Sequence, residues 1–179
     1  MASANPSSPG GAWLLFSLLT VFAWGTYGLF LHSGQSAMGD PANGRYKAFL
    51  FVGVAYFLTA IVAPLVMLLA RGSDWTFPGR GMLWSLVAGI VGAIGAFGVL
   101  LAFGARGNPA VVMAIVFAGA PVVNSILALW LHPPAGGFGA IRWPFFAGIL
   151  LAALGGFLVT FYRPAAPAPV APAAAVRQP

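Results

Sequence analysis

Residues 100–131 read LLAFGARGNPAVVMAIVFAGAPVVNSILALWL. Two apolar runs meet at GARGN, a connection short enough to force a tight antiparallel turn. The second run, Pro109 to Leu131, has the length a helix needs to cross about 30 Å of hydrocarbon. A membrane strand would alternate polar and apolar side chains, and this run does not. A helix satisfies its own backbone in lipid, so the stretch is read as a transmembrane helical hairpin.

The same logic extends outward. Apolar runs cover Ala12 to His32, Ala48 to Ala70, Met82 to Phe103, Pro109 to Leu131 and Pro144 to Tyr162. The sequence therefore predicts an all-α integral membrane protein with five transmembrane helices in one unit, residues 12–162. Composition agrees: 60% of the 179 residues are hydrophobic and 6% are charged, against about 25% charged in a soluble domain. The connections carry turn signals: HSGQSAMGDPANGRYK, RGSDWTFPGRG and HPPAGGFGAIRWP are rich in Gly, Pro, Asn and Asp. Residues 1–11 are expected to be flexible, and 163–179, RPAAPAPVAPAAAVRQP, to form a disordered Pro/Ala-rich tail. No basic residue precedes the first run, so it is read as a retained span and not as a secretory leader.

The net charge of +6 does not point to nucleic acid. The eight Lys and Arg residues are scattered singly outside the apolar runs, as loop charges at a bilayer surface are. With the N-terminal side as X, a five-span register puts Trp13, Trp75, Trp84, Trp130 and Trp143 on or near X, where indole rings favour the headgroups. Side X holds Arg71, Arg80 and Arg142, and side Y holds Arg45, Lys47, Arg106, Arg163 and Arg177. The excess on Y places the C-terminus in the cytoplasm, in a bacterial-type inner or plasma membrane. A margin this narrow also allows insertion in both orientations.

The chain's only acids, Asp40 and Asp74, fall in connections. No carboxylate at membrane depth is available for proton coupling, and no acid–base pair for catalysis, so the reading is not an enzyme. Cysteine is absent, and His32 and His132 fall on opposite faces, so neither a metal nor a cofactor is expected. The polar groups at mid-depth are Thr26 and Tyr27 in the first span, Tyr56 and Thr59 in the second, and Asn124 and Ser125 in the fourth, with Trp24 nearby. The Asn124 amide can make about four hydrogen bonds, and lipid offers none. It must face protein or a wet cavity. Pro64 and Pro121 each free a backbone carbonyl one turn earlier and are the candidate hinges. Gly89, Gly92, Gly95 and Gly98 recur through the third span, and Gly155 and Gly156 lie in the fifth. Such residues allow close helix packing, and equally a sliding interface.

Three stretches together resemble the drug/metabolite transporter superfamily, in its EamA-like branch. They are AWGTYGLF in the first span, the hairpin of residues 100–131 with its central Pro121, and FAGILLAALGGFLV in the fifth. The resemblance covers about residues 12–162. Members commonly place an acid just after the fourth span, where this chain has His132. Full-length members carry two five-span repeats of opposite orientation, and this chain has one. The small multidrug members carry a first-span glutamate that is absent here. The resemblance implies a single-repeat permease that pairs as a homodimer.

The expected function is movement of a neutral or weakly polar small molecule across a membrane. Its binding residues would be Trp24, Thr26, Tyr27, Tyr56, Asn124 and Ser125. Hydroxyl, phenol and amide groups suit a sugar-like or amide-bearing solute, since no buried carboxylate balances a cation. The alternative is a non-transporting membrane subunit that packs against partner helices through its glycines. The expected partners are membrane lipid, the small-molecule substrate and a second copy of the chain.

Overall fold

The computed structural model describes residues 12–163. The expected flexible N-terminus, and the tail beyond Arg163, lie outside the described residues. The described chain is all-helical, with five helices long and apolar enough to cross a membrane. Helix α1 spans Ala12–Ala37. The second span is composite: α2 (Gly44–Phe57), a π-helical turn (Leu58–Val62) and α3 (Ala63–Ala70) run on continuously. Helix α4 spans Gly79–Gly104, α5 Pro109–Leu131 and α6 Trp143–Phe161, with a short 3-10 turn at Phe138–Ala140 before α6.

Two boundaries differ from the sequence reading by more than a turn. Helix α1 runs to Ala37, because the polar residues after His32 end the apolar run without ending the helix: the Ser36 hydroxyl donates back to the His32 carbonyl at 3.0 Å. Gly39, at φ +63, then turns the chain. Helix α2 begins at Gly44, four residues before the expected Ala48. Asp40 organises that start. Its Oδ1 accepts from the backbone N–H groups of Ala42 (3.1 Å) and Asn43 (2.9 Å), and its Oδ2 accepts from Lys47 Nζ at 2.7 Å. These bonds hold the Asp40 carboxyl down at about 2, the Lys47 hydrogen bond first among the causes.

The two candidate hinge prolines sit differently in their helices. Pro64 sits in the first turn of α3, where its missing N–H costs little. The adjustment lies upstream, where the Ala63 N–H reaches back five residues to the Leu58 carbonyl and closes the π turn. Pro121 stays inside an unbroken α5.

Helix ends are closed by paired backbone bonds. After α3, Gly72 N–H donates to Leu69 O (3.2 Å) and Ser73 N–H to Leu68 O (3.1 Å), with Gly72 at φ +60. After α4 the same pattern joins Arg106 N–H to Phe103 O (3.0 Å) and Gly107 N–H to Ala102 O (2.8 Å). Here the left-handed residue is Arg106, at φ +66, where glycine is the usual occupant.

The chain forms two compact units, divided between Val116 and Phe117 within α5. In the first, Leu31 of α1, Val99, Leu100 and Phe103 of α4 and Met113 of α5 form the buried core, with Tyr27, Phe49 and Val52 packed against it. Gly28 lets α1 approach α5: a Cβ there would lie 2.5 Å from Met113 Cγ. Every buried residue of this unit lies in the later half of α1, the start of α2, the later half of α4 or the start of α5. Residues 12–25 of α1 and 79–95 of α4 are exposed on all sides. The second unit contains the rest of α5 and α6, and no residue described in it is fully buried.

Candidate functional site

In the first unit, α1 and α2 enclose a groove of about 540 Å³. Thr26, Tyr27 and Phe30 line it from α1, and Phe51, Val52 and Ala55 from α2. Thr26 is 14 residues from Ala12 and 11 from Ala37. At roughly 1.5 Å per residue that is about 21 Å and 17 Å from the helix ends, so the groove reaches the middle of α1.

Its polar groups complement one another. Thr26 spends its proton on its own helix, donating to the Phe22 carbonyl (3.0 Å) and the Ala23 carbonyl (3.2 Å). The oxygen remains free to accept. The Tyr27 hydroxyl is buried and has no hydrogen-bond partner among the described residues. A buried hydroxyl in that state costs about 1–3 kcal/mol, which a bound acceptor would recover. The groove thus presents the Thr26 acceptor on a largely apolar wall, with the Tyr27 hydroxyl buried and unsatisfied behind it. Trp24 packs against Tyr27, with ring centroids 5.7 Å apart and planes tilted by 48°. Tyr56 follows the lining residue Ala55 and is itself 40% exposed, outside the wall.

The second unit has a smaller groove of about 320 Å³, formed by Pro121 and Ser125 of α5 and by Pro144, Phe145 and Gly148 of α6. Ser125 lines it and Asn124 does not. The Asn124 side chain is exposed and makes no hydrogen bond among the described residues. The sequence reading turned this amide inward, toward protein or water. In the described chain the amide stands on the surface of α5.

The expected packing glycines are also open. A Cβ at Gly89, Gly92, Gly95, Gly98 or Gly155 would meet nothing within 4 Å. Within the first unit α4 packs instead through Ala96, Val99, Leu100 and Phe103, the usual helical spacing of one face. Gly156 accepts at its carbonyl from the Thr160 hydroxyl at 2.8 Å. His32 is inside α1, its ring edge-on to Phe103 at 5.7 Å. No three His, Asp or Glu side chains come together as a metal-ligand set among the described residues.

Sequence reasoning missed a cluster at the end of α1. Arg45 and Gln35, both assigned to a connection, carry side-chain nitrogens that are buried without partners. The motif GRYK gave the only hint of them.

No family model, curated protein or solved structure matches this chain.

Proposed function

We propose that the chain is a small-molecule permease of the drug/metabolite transporter type, acting as a homodimer. The observation that carries this reading is the α1–α2 groove, lined by Thr26 and by Tyr27, whose buried hydroxyl has no partner among the described residues. A neutral solute bearing a hydroxyl or amide meets both groups: it accepts from Tyr27 and donates to Thr26. Apolar walls at Phe30, Phe51 and Val52 exclude ions, which would leave their hydration shells without replacement. Trp24 and Tyr56 flank the site.

A second copy would have faces to cover. The Asn124 amide on α5 and the run of glycines on α4 are each exposed, and small residues let a partner helix approach closely. The resemblance supplies the same expectation, since one repeat is half of the usual arrangement. The homodimer would sit in an inner or plasma membrane with its C-terminus in the cytoplasm, following the charge excess on side Y.

The test is uptake into proteoliposomes loaded with purified protein, using radiolabelled neutral sugars, polyols and amides. Saturable uptake of a member of the panel, lost in Tyr27→Ala, supports the permease. The open glycines also favour a second reading, a subunit that packs against a different protein. Absence of any saturable flux, with a stoichiometric partner retained on purification from native membranes, would establish that reading instead.

A further inference from the structure

Arg45, in the first turn of α2, is a cation held by its neighbours and not by a carboxylate. Its guanidinium carbon sits 4.7 Å from the centroid of the Tyr46 ring, and its Nη2 donates to the Tyr46 hydroxyl at 3.2 Å. The arm lies along the end of α4 because Gly104 has no side chain: a Cβ there would be 2.8 Å from Arg45 Cδ and 2.9 Å from Nη1.

No carboxylate among the described residues pairs with it. Of the two acids in the chain, Asp40 has one oxygen on Lys47 and the other on the backbone of Ala42 and Asn43. Asp74 lies at the far end of the composite second span. The Asp40–Lys47 pair is the one ion pair among the described residues. Arg106, two residues beyond Gly104, adds a second cation to the same end.

Two donors here lack acceptors. Arg45 Nε and Gln35 Nε2 are both buried without a hydrogen-bond partner among the described residues. The backbone brings their two residues close. Gln35 follows the core residue Leu31 by one helical turn, and its backbone carbonyl lies 3.0 Å from where Gly44 would carry a Cβ. Gly44 immediately precedes Arg45. The carboxylate at this turn, Asp40, whose Cβ lies 3.9 Å from the same point, is already paired with Lys47, so the guanidinium and the amide N–H are left as an incomplete anion site. Its place, at the helix ends just outside the hydrocarbon span, is the depth of lipid phosphates.

We propose that the corner formed by Gln35, Arg45 and the Gly104 end of α4 binds a phosphate group, supplied by the headgroup of an anionic membrane lipid. Arginine's planar fork fits phosphate oxygens, and Tyr46 and Gly104 fix the plane of that fork beforehand. The lipid would clamp α1, α2 and α4 at the end where all their buried contacts lie. This inference is independent of the transport reading.

The experiment measures retention of radiolabelled phosphatidylglycerol against phosphatidylcholine by the full chain in neutral detergent, with inorganic phosphate in a parallel arm. The expected result is a preference of about tenfold for phosphatidylglycerol, from charge-assisted hydrogen bonds. It should persist at about 1 M salt, where the screening length is roughly 3 Å and loose surface attraction is lost. Arg45→Gln should abolish the preference, while Arg80→Gln, at the opposite end of α4, should leave it intact. Retention of inorganic phosphate in an Arg45-dependent manner would keep the site and reassign its ligand to a soluble phosphate. Should Arg45→Gln fail to fold, salt resistance of the wild-type preference decides. Equal retention of the two lipids with no retention of phosphate, a preference erased by salt, or one that survives in Arg45→Gln would overturn the proposal.

Discussion

Replacing Tyr27 with phenylalanine removes one oxygen from the α1–α2 groove and leaves the ring in place. The direction of its effect is diagnostic. Were the hydroxyl bonded to a neighbouring helix, its loss would cost about 1 kcal/mol. The hydroxyl is buried with no partner, so its desolvation is uncompensated in the empty protein. Removing it should therefore stabilise the empty protein by about 1–2 kcal/mol. The ring still packs on Trp24 and on the core, so no cavity opens to offset the gain. For a chain of this length the gain corresponds to roughly 2–8 °C in apparent melting temperature. The assay is thermal unfolding of purified protein in one neutral detergent, wild type against Tyr27→Phe. Uptake of the transported solute should fall in the same variant, because the donor that orients the solute is gone. A lower melting temperature in Tyr27→Phe would refute the reasoning, since it would mean that the hydroxyl already has a partner.

Three further outcomes follow from the fold. Arg106→Gly relieves a left-handed backbone that only glycine adopts freely, and should raise stability by about 1 kcal/mol in the same melting assay; a loss would show that the arginine side chain outweighs the strain. Leu100→Ala empties a fully buried site, and should cost about 1–3 kcal/mol by detergent titration, which is the cavity share of a buried leucine. The aqueous transfer share drops out, because leucine released from this core meets acyl chains and not water. The Asp40 turn should respond to acid: its carboxyl is depressed from 3.8 to about 2. Its stabilisation is complete above pH 3.8 and is lost as pH falls towards 2, so proteolysis or hydrogen exchange at residues 38–47 should accelerate only in that window. Asp40→Asn should show no such acid-dependent rise.

The five spans were legible because lipid imposes a length and an apolarity that few other settings require. Helix α5 matches the reading to the residue: Asn108-Pro109 starts it and His132-Pro133-Pro134 stops its continuation. Elsewhere hydropathy marked where the chain stops being apolar, which is not where the helix stops. The polar residues after His32 continue α1 for more than a turn, and Gly44 to Lys47 begin α2. That error turned Arg45 into a loop charge, when it is a helix residue packed on Gly104. Thr26 and Tyr27 were identifiable as polar groups at mid-depth, and they share a groove. The direction of Asn124 was not identifiable, because a single amide carries no periodic signal of the face it occupies. The glycine spacing in α4 showed where backbones can approach without showing which neighbour would, and the chain packs that helix through Ala96, Val99, Leu100 and Phe103.

The central claim is a groove at mid-membrane that water and a neutral solute can enter. The chain has no cysteine, so Thr26→Cys introduces a single thiol on the groove wall without background. In sealed vesicles, a membrane-impermeant maleimide should modify that cysteine, and the transported solute should slow the reaction. Modification only after detergent denaturation, at a rate indifferent to solute, would mean that the α1–α2 groove is dry, and would contradict the account.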